Sequence, residues 1–199
     1  YDAAEPGLPA KAEELRQLKG QLEAVQENLK VPADREAANQ GIAAVNAQLN
    51  LIDMGQQAMA WALPAQDAYG QAKAAMDHIM AANDLASRAT EQIATLNAES
   101  AQASQQTSQQ ALAELASARD GLQAAADQLA TLAQREGAGD ATVAATATIA
   151  QYLDYTQLRI DAQQAAVQSM QAYLDRDKGT LAQANDRYNQ LEQRAVELI

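Results

Sequence analysis

An all-α fold, an elongated helical bundle with a long antiparallel coiled-coil-like hairpin and shorter N-terminal helices, is what this chain predicts. Three observations carry it. About a quarter of the residues are Ala, with Gln, Leu, Glu and Asp next and no Phe at all, a composition that favours helices and starves a sheet of β-branched and aromatic side chains. Apolar residues recur at alternating spacings of three and four along most of the chain, the signature of a helix that buries one stripe. Pro9, Pro32 and Pro64 each precede helix-forming residues, and a proline at the first helical position gives up only an N–H that has no partner there.

The elements follow in order, within one expected domain covering 1–199. The N-terminal helix is expected over 9–30, where Leu15, Leu18, Leu22, Val25 and Leu29 form a heptad-like seam. A smaller helical head is expected over 32–79. Its stripe is Ala38, Ile42, Val45, Leu49, Ile52, Met59 and Leu63. Gly41 and Gly55 weaken a helix there by roughly 1 kcal/mol each relative to Ala, so the sequence predicts two shorter helices or one bent one, with a fresh start at Pro64.

The long hairpin is expected over 80–198, with arms at about 80–135 and 141–198. No proline interrupts 65–135. Tyr69, Met76, Ile79, Ala86, Ile93 and Leu96 mark one stripe, and Leu112, Leu115, Leu122, Leu129 and Leu132 mark another that is out of phase with the first. Between them, 100–113 carries no charge and repeats Ser100, Ser104 and Ser108 beside Gln102, Gln106 and Gln110. The plain reading is a helix packed through small and polar side chains; a subunit contact and disorder are the alternatives. Gly137-Ala138-Gly139-Asp140 reads as the hairpin turn, with Asp140 placed to cap the next helix.

In the second arm Leu153, Ile160, Val167, Leu174, Leu181, Tyr188 and Ala195 stand seven apart, which predicts one helix of roughly 85 Å. Thr156, Gln163 and Asp177 occupy alternate seam positions, and Gly179 is a local weakness or bend. Polar residues in a seam cost stability but can fix register and partner choice.

A net charge of -12 sets nucleic acid and anionic membrane aside as main partners. No apolar run approaches the roughly 18 to 20 residues that span a bilayer. There is no Cys. The chain opens without Met, in Tyr1-Asp2-Ala3-Ala4-Glu5, as one does after removal of a signal peptide, although a trimmed chain would look the same.

The residues offer little chemistry. The single His78 cannot build a metal shell without carboxylates to complete it, and no Glu-x-x-His element of di-iron bundles is present. Carboxylates pair with cations at helical spacing, as at Asp175 with Lys178 and Glu192 with Arg194. The glycines form no phosphate cradle. No enzyme, cofactor or metal is expected. Two further uncharged stretches, 54–66 and 141–153, flank expected chain turns and suggest burial against something, either within the chain or at another subunit. Met59, Trp61, Leu63, Val143, Ile149 and Tyr152 are the candidate assembly surface.

In layout, and in the stretches Ala12-Glu13-Glu14-Leu15-Arg16-Gln17-Leu18-Lys19-Gly20-Gln21-Leu22, Ser108-Gln109-Gln110-Ala111-Leu112-Ala113-Glu114-Leu115 and Gln157-Leu158-Arg159-Ile160-Asp161-Ala162-Gln163-Gln164, the chain resembles the minor pilus proteins of bacterial conjugative type IV secretion systems, in their TrbJ-like branch. The resemblance implies an exported periplasmic protein, pilus-associated at the cell surface, that forms a homo-oligomer and contacts the pilin and an inner-membrane channel component. It would aid pilus assembly and contact recipient cells. The alternatives are the periplasmic ligand-sensing helical bundle of a receptor, and a helical translocator or pore-forming protein.

Overall fold

The computed structural model describes residues 7–95, 97–134 and 139–198. Leu96, Arg135, the opening Tyr1-Asp2-Ala3-Ala4-Glu5 and the Gly137-Ala138 half of the expected turn lie outside the described residues. The fold is all-α: the described residues form α1 (Gly7–Asn28), α2 (Pro32–Gln92), a 3-10 turn (Ile93–Thr95), α3 (Ala98–Ala133), α4 (Asp140–Leu174) and α5 (Lys178–Leu198), with no strand. The chain divides into two compact units, Tyr1–Leu63 and Pro64–Ile199. The border falls at Pro64, inside the 32–79 stretch expected as the helical head.

In the first unit α1 lies antiparallel to residues 32–63 of α2. Pro32 opens α2 as its position predicts, and the Arg35 Nε donates to Leu29 O at 2.6 Å across the reversal. Gly41 provides the close approach: a Cβ there would sit 3.4 Å from Leu22 Cδ1. Ala12 and Leu15 bury against a row that includes Ala38 and Val45. The expected α1 seam is therefore half right. Leu15, Leu22 and Leu29 face inward, while Leu18 and Val25 are exposed, because a hairpin offers each helix one partner and one partner covers one row.

Pro64 does not start a helix; α2 runs through it. An internal proline loses its N–H bond and crowds the preceding turn, and this one stands at the border of the two units. Gly41 and Gly55 likewise leave α2 unbroken.

The second unit is an up-down-up-down four-helix array. Residues 64–92 of α2 run antiparallel to α3, as the pairs His78–Glu114 and Ala75–Gly121 show. Gln105 bonds Gln171 between α3 and α4, and Gln151 Nε2 donates to Leu198 O between α4 and α5. The buried row of α3 keeps a strict three-four alternation through Ala101, Ser104, Ser108, Ala111, Leu115, Ala118, Leu122, Ala125, Leu129 and Leu132. Small side chains let the axes approach closely: a Cβ on Gly121 would stand 3.3 Å from Ala75 Cβ. The central cluster joins Ala82, Ala111, Leu115 and Ile160. α4 buries two rows, one through Ile149, Thr156, Ile160, Gln163 and Met170 and one through Ala162, Ala165, Ser169 and Ala172, since it has neighbours on both sides.

Both arms of the expected hairpin are shorter than the sequence suggested. The first breaks at 93–97, where Asn97 caps α3 in a reciprocal capping box: Asn97 Oδ1 accepts from Ser100 N, and Ser100 Oγ accepts from Asn97 N. The two out-of-phase stripes belong to two helices. The second arm reverses at 175–177. Arg176 N donates to Tyr173 O and Asp177 N to Ala172 O, the two bonds of a Schellman motif, with Arg176 at φ 61 in the left-handed position that usually goes to Gly.

Asp177 then begins α5. Its carboxylate accepts from Gly179 N and Thr180 N and from the Thr180 hydroxyl at 2.7 Å, and the hydroxyl bond first of all holds its pKa below the ordinary 3.8. The seam positions from Leu153 to Leu174 lie on α4 and those from Leu181 to Ala195 on α5, so one heptad pattern serves two antiparallel helices. Gly139, rather than Asp140, is the N-cap of α4. No side-chain capping bond is made there, and Asp140 sits in the first helical turn, where its charge suits the helix dipole.

Candidate functional site

The six residues proposed for assembly are divided between the two units. Met59, Trp61 and Leu63 lie on α2 in the first unit and are half-buried. In the second unit Val143 is 63% exposed, Ile149 is 8% exposed and Tyr152 is half-buried. Only Val143 is free for contact without rearrangement; Ile149 is part of the bundle's own packing.

Ile149 does line a groove of about 440 Å³ between residues 65–72 of α2 and 141–149 of α4. Ala68, Ala72 and Leu129 also line it, and Tyr69, 72% exposed, stands among its lining residues. No lining residue is charged. The local sequence explains why the α4 side is less polar than its threonines suggest. The hydroxyls of Thr146 and Thr148 donate to Thr142 O at 2.8 Å and to Ala144 O at 3.0 Å, so these side chains satisfy their polar atoms within the helix. Further along α4, Gln151 Nε2 donates to Leu198 O of α5.

A second, smaller cavity, about 120 Å³, lies between the 86–93 stretch of α2 and its turn, α3, α4 and α5. Its polar lining comes from Thr90 on α2, Ser104 and Ser108 on α3, Gln163 and Ser169 on α4, and Asn185 and Tyr188 on α5. Ser169 Oγ lies 2.6 Å from Asn185 Oδ1, to which it donates. Gln163 is 2% exposed and its Oε1 has no hydrogen-bond partner, an omission that costs about 1–3 kcal/mol. Thr156, the polar seam residue two turns earlier, is satisfied by its bond to Tyr152 O. The uncharged 100–113 stretch is thus a packed helix in which Ser104 and Ser108 reach the core and Ser100 serves the cap, while Gln102, Gln106 and Gln110 face solvent.

No protein-family model, no curated protein and no solved structure matches this chain.

Beside the cavity, Arg159 of α4 pairs with Glu192 of α5. Arg159 Nε and Glu192 Oε1 are buried without partners, so the pair ties the helices at the cost of incomplete solvation. Tyr188 has its pKa raised above 10.0, first by burial and then by the Glu192 charge, with Arg159 opposing. His78 Nδ1 lies 2.6 Å from Glu114 Oε2, a link between α2 and α3 at a partly exposed position. Among the described residues no group of three or more His, Asp or Glu side chains is placed to hold a metal ion, and no helix is long and apolar enough to cross a membrane.

The sequence pointed to the neighbourhood of the groove through its uncharged 141–153 stretch. It missed Tyr69 as an exposed groove residue, having assigned it to a buried stripe. It gave no sign of Asn185, whose partner Ser169 comes from the second buried row of α4.

Proposed function

We propose that this chain is a non-catalytic structural subunit that assembles with copies of itself and with other proteins of a bacterial conjugative type IV secretion apparatus, in the role of a minor pilus protein exported to the periplasm. The uncharged groove between α2 and α4 supports this reading most directly. Exposed Tyr69 and Val143 stand near a surface that water solvates poorly, in a protein otherwise rich in acidic side chains.

Light scattering on the purified protein, wild type against Tyr69→Asp with Val143→Asp, tests the assembly step. Both side chains are exposed, so helicity stays and the oligomer mass falls. An unchanged mass, or a wild-type protein that is monomeric at every concentration, defeats this reading. Deleting the gene in a conjugative donor and scoring pili and transfer tests the cellular role; transfer at the wild-type frequency counts against it.

One observation favours a second reading, the ligand-sensing helical bundle: the second unit has four antiparallel helices with polar groups inside. The uncharged groove beside exposed Tyr69 and Val143 favours assembly.

A further inference from the structure

We infer that the outward row of α2 in the first unit, Ala44, Ala47, Leu51, Met54 and Ala58, is an interface for the same row of a second copy of this chain, set antiparallel about a two-fold axis between Ile52 and Asp53.

This part of α2 carries two seams. Ala38 and Val45 belong to the row covered by α1 and are buried, whereas Leu51 is 63% and Met54 55% exposed. Ala44, Ala47 and Ala58 are exposed with them, and the five residues keep the three-four alternation of a coiled-coil seam. The same stretch avoids charge. Residues 37–63 hold one charged side chain, Asp53, although charged residues make up 20% of the chain. A helix with an apolar seam on two sides needs a neighbour on each, and α1 is the neighbour of one.

Two properties of the outward row select a second copy as its occupant. The first is the order of side-chain sizes. Read outward from the middle in either direction, the row gives a large residue and then a small one: Leu51 then Ala47, Met54 then Ala58. Antiparallel pairing about that middle sets Leu51 beside Met54 of the second copy, and Met54 beside its Leu51, in two central layers, while Ala47 meets Ala58 at both ends and lets the backbones approach. The second property is charge. At -12 per chain, two copies repel over most of their surfaces, and this nearly uncharged stretch is where they can meet. A strongly basic partner would find only Asp53 to pair with here. The polar neighbours of the row, Gln48, Asn50 and Gln57, carry amides with both donor and acceptor, which can bond to amides of the same kind. From Ala44 to Ala58 the row runs roughly 21 Å, a small interface of the reversible kind. It lies within the first unit and does not involve the α2–α4 groove.

The full chain carrying Tyr69→Asp and Val143→Asp isolates this contact from the groove. Its sedimentation equilibrium should give a mass that rises with concentration and levels at two chains. Adding Leu51→Glu with Met54→Glu should weaken the dimer about a hundredfold or more, because four carboxylates would then meet at its centre. Both positions are exposed and Glu is a good helix former, so helicity stays. Leu18→Glu with Val25→Glu, at exposed apolar positions of α1, should leave the dimer unchanged. The chain has no Cys, so introduced thiols report the orientation. Ala47→Cys and Ala58→Cys proteins, mixed and oxidised, should cross-link to each other and neither to itself, since the two 47 positions of an antiparallel pair stand roughly 16 Å apart along the axis, beyond disulfide reach. A monomer at every concentration gives the row to a different protein and overturns the proposal. A dimer weakened equally by the α1 and α2 substitutions, or one in which Ala47→Cys links to itself, overturns it as well. If wild type keeps its mass when only Tyr69→Asp and Val143→Asp are introduced, the groove reading fails while this one stands.

Discussion

Leu115→Ala tests whether the second unit is held by the packing described. Leu115 is 1% exposed and clusters with Ala82, Ala111 and Ile160. The substitution removes three carbon atoms, worth about 0.8 kcal/mol each in transfer energy. To this is added the void left behind, and here the neighbours decide its size. Ala82 and Ala111 have no side-chain rotamers with which to fill space, and each sits within a long helix, so the hole stays largely open. The loss should fall in the upper part of the usual Leu→Ala range, about 3.5–5 kcal/mol. That is a large share of the roughly 5–15 kcal/mol that holds an ordinary domain together. Urea unfolding followed by far-ultraviolet circular dichroism measures it. Trp61, the only tryptophan and a residue of the first unit, gives a separate fluorescence signal from that region. Leu18→Ala is the control: Leu18 is 44% exposed, and its loss should cost less than about 1 kcal/mol. Similar costs for the two substitutions, or a Leu115→Ala cost below about 1 kcal/mol, would refute the packing argument.

Two further outcomes follow from local geometry. Arg176→Gly should raise stability by about 0.5–1 kcal/mol, because Arg176 holds the left-handed position of the α4–α5 turn at φ 61 and glycine adopts it freely; a fall in the unfolding midpoint would show that the Arg side chain contributes more than its backbone strain costs. Tyr188, with its pKa raised, lends stability that is fully present below its ordinary value of 10.0 and is lost as pH rises through the higher folded value. Tyrosinate absorbance of wild type minus Tyr188→Phe should therefore show one phenol titrating late, and a difference curve centred at or below the ordinary value would contradict the burial of that ring.

The two helix breaks show where the sequence could be read and where it misled. The Asn97-Ala98-Glu99-Ser100 start of α3 is a cap with a mechanism, in which Asn97 and Ser100 satisfy each other's backbone N–H, yet the arm was expected to run unbroken over 80–135. The phase jump between the Ile93 and Leu112 stripes recorded the same event. The α4–α5 reversal was harder. A turn of 175–177 leaves the heptad spacing from Leu153 to Ala195 undisturbed, so periodicity alone reports one helix where there are two. Composition hid the turn as well, because Arg176 fills a place that glycine would have flagged. Gly179, which drew attention as the weak point, lies inside the first turn of α5. The informative residues were Asp177 and Thr180, a cap and its hydroxyl partner.

The candidate sites divide in a related way. An uncharged stretch such as 141–153 signals burial against something, but it does not say which of its residues turn toward the bundle's own helices. Val143 and Ile149 lie six residues apart on one helix, yet one is 63% exposed and the other 8%. The core cavity was announced by a different kind of signal, a violation of pattern. Among the seam positions of α4, Thr156 is polar and finds a backbone carbonyl; Gln163 is polar and its carbonyl finds nothing. A leucine at 163 would pack without leaving a polar atom unpaired. That a polar residue stands in the seam could be read from the sequence; which of the two would find a partner depends on the geometry of the helix around it.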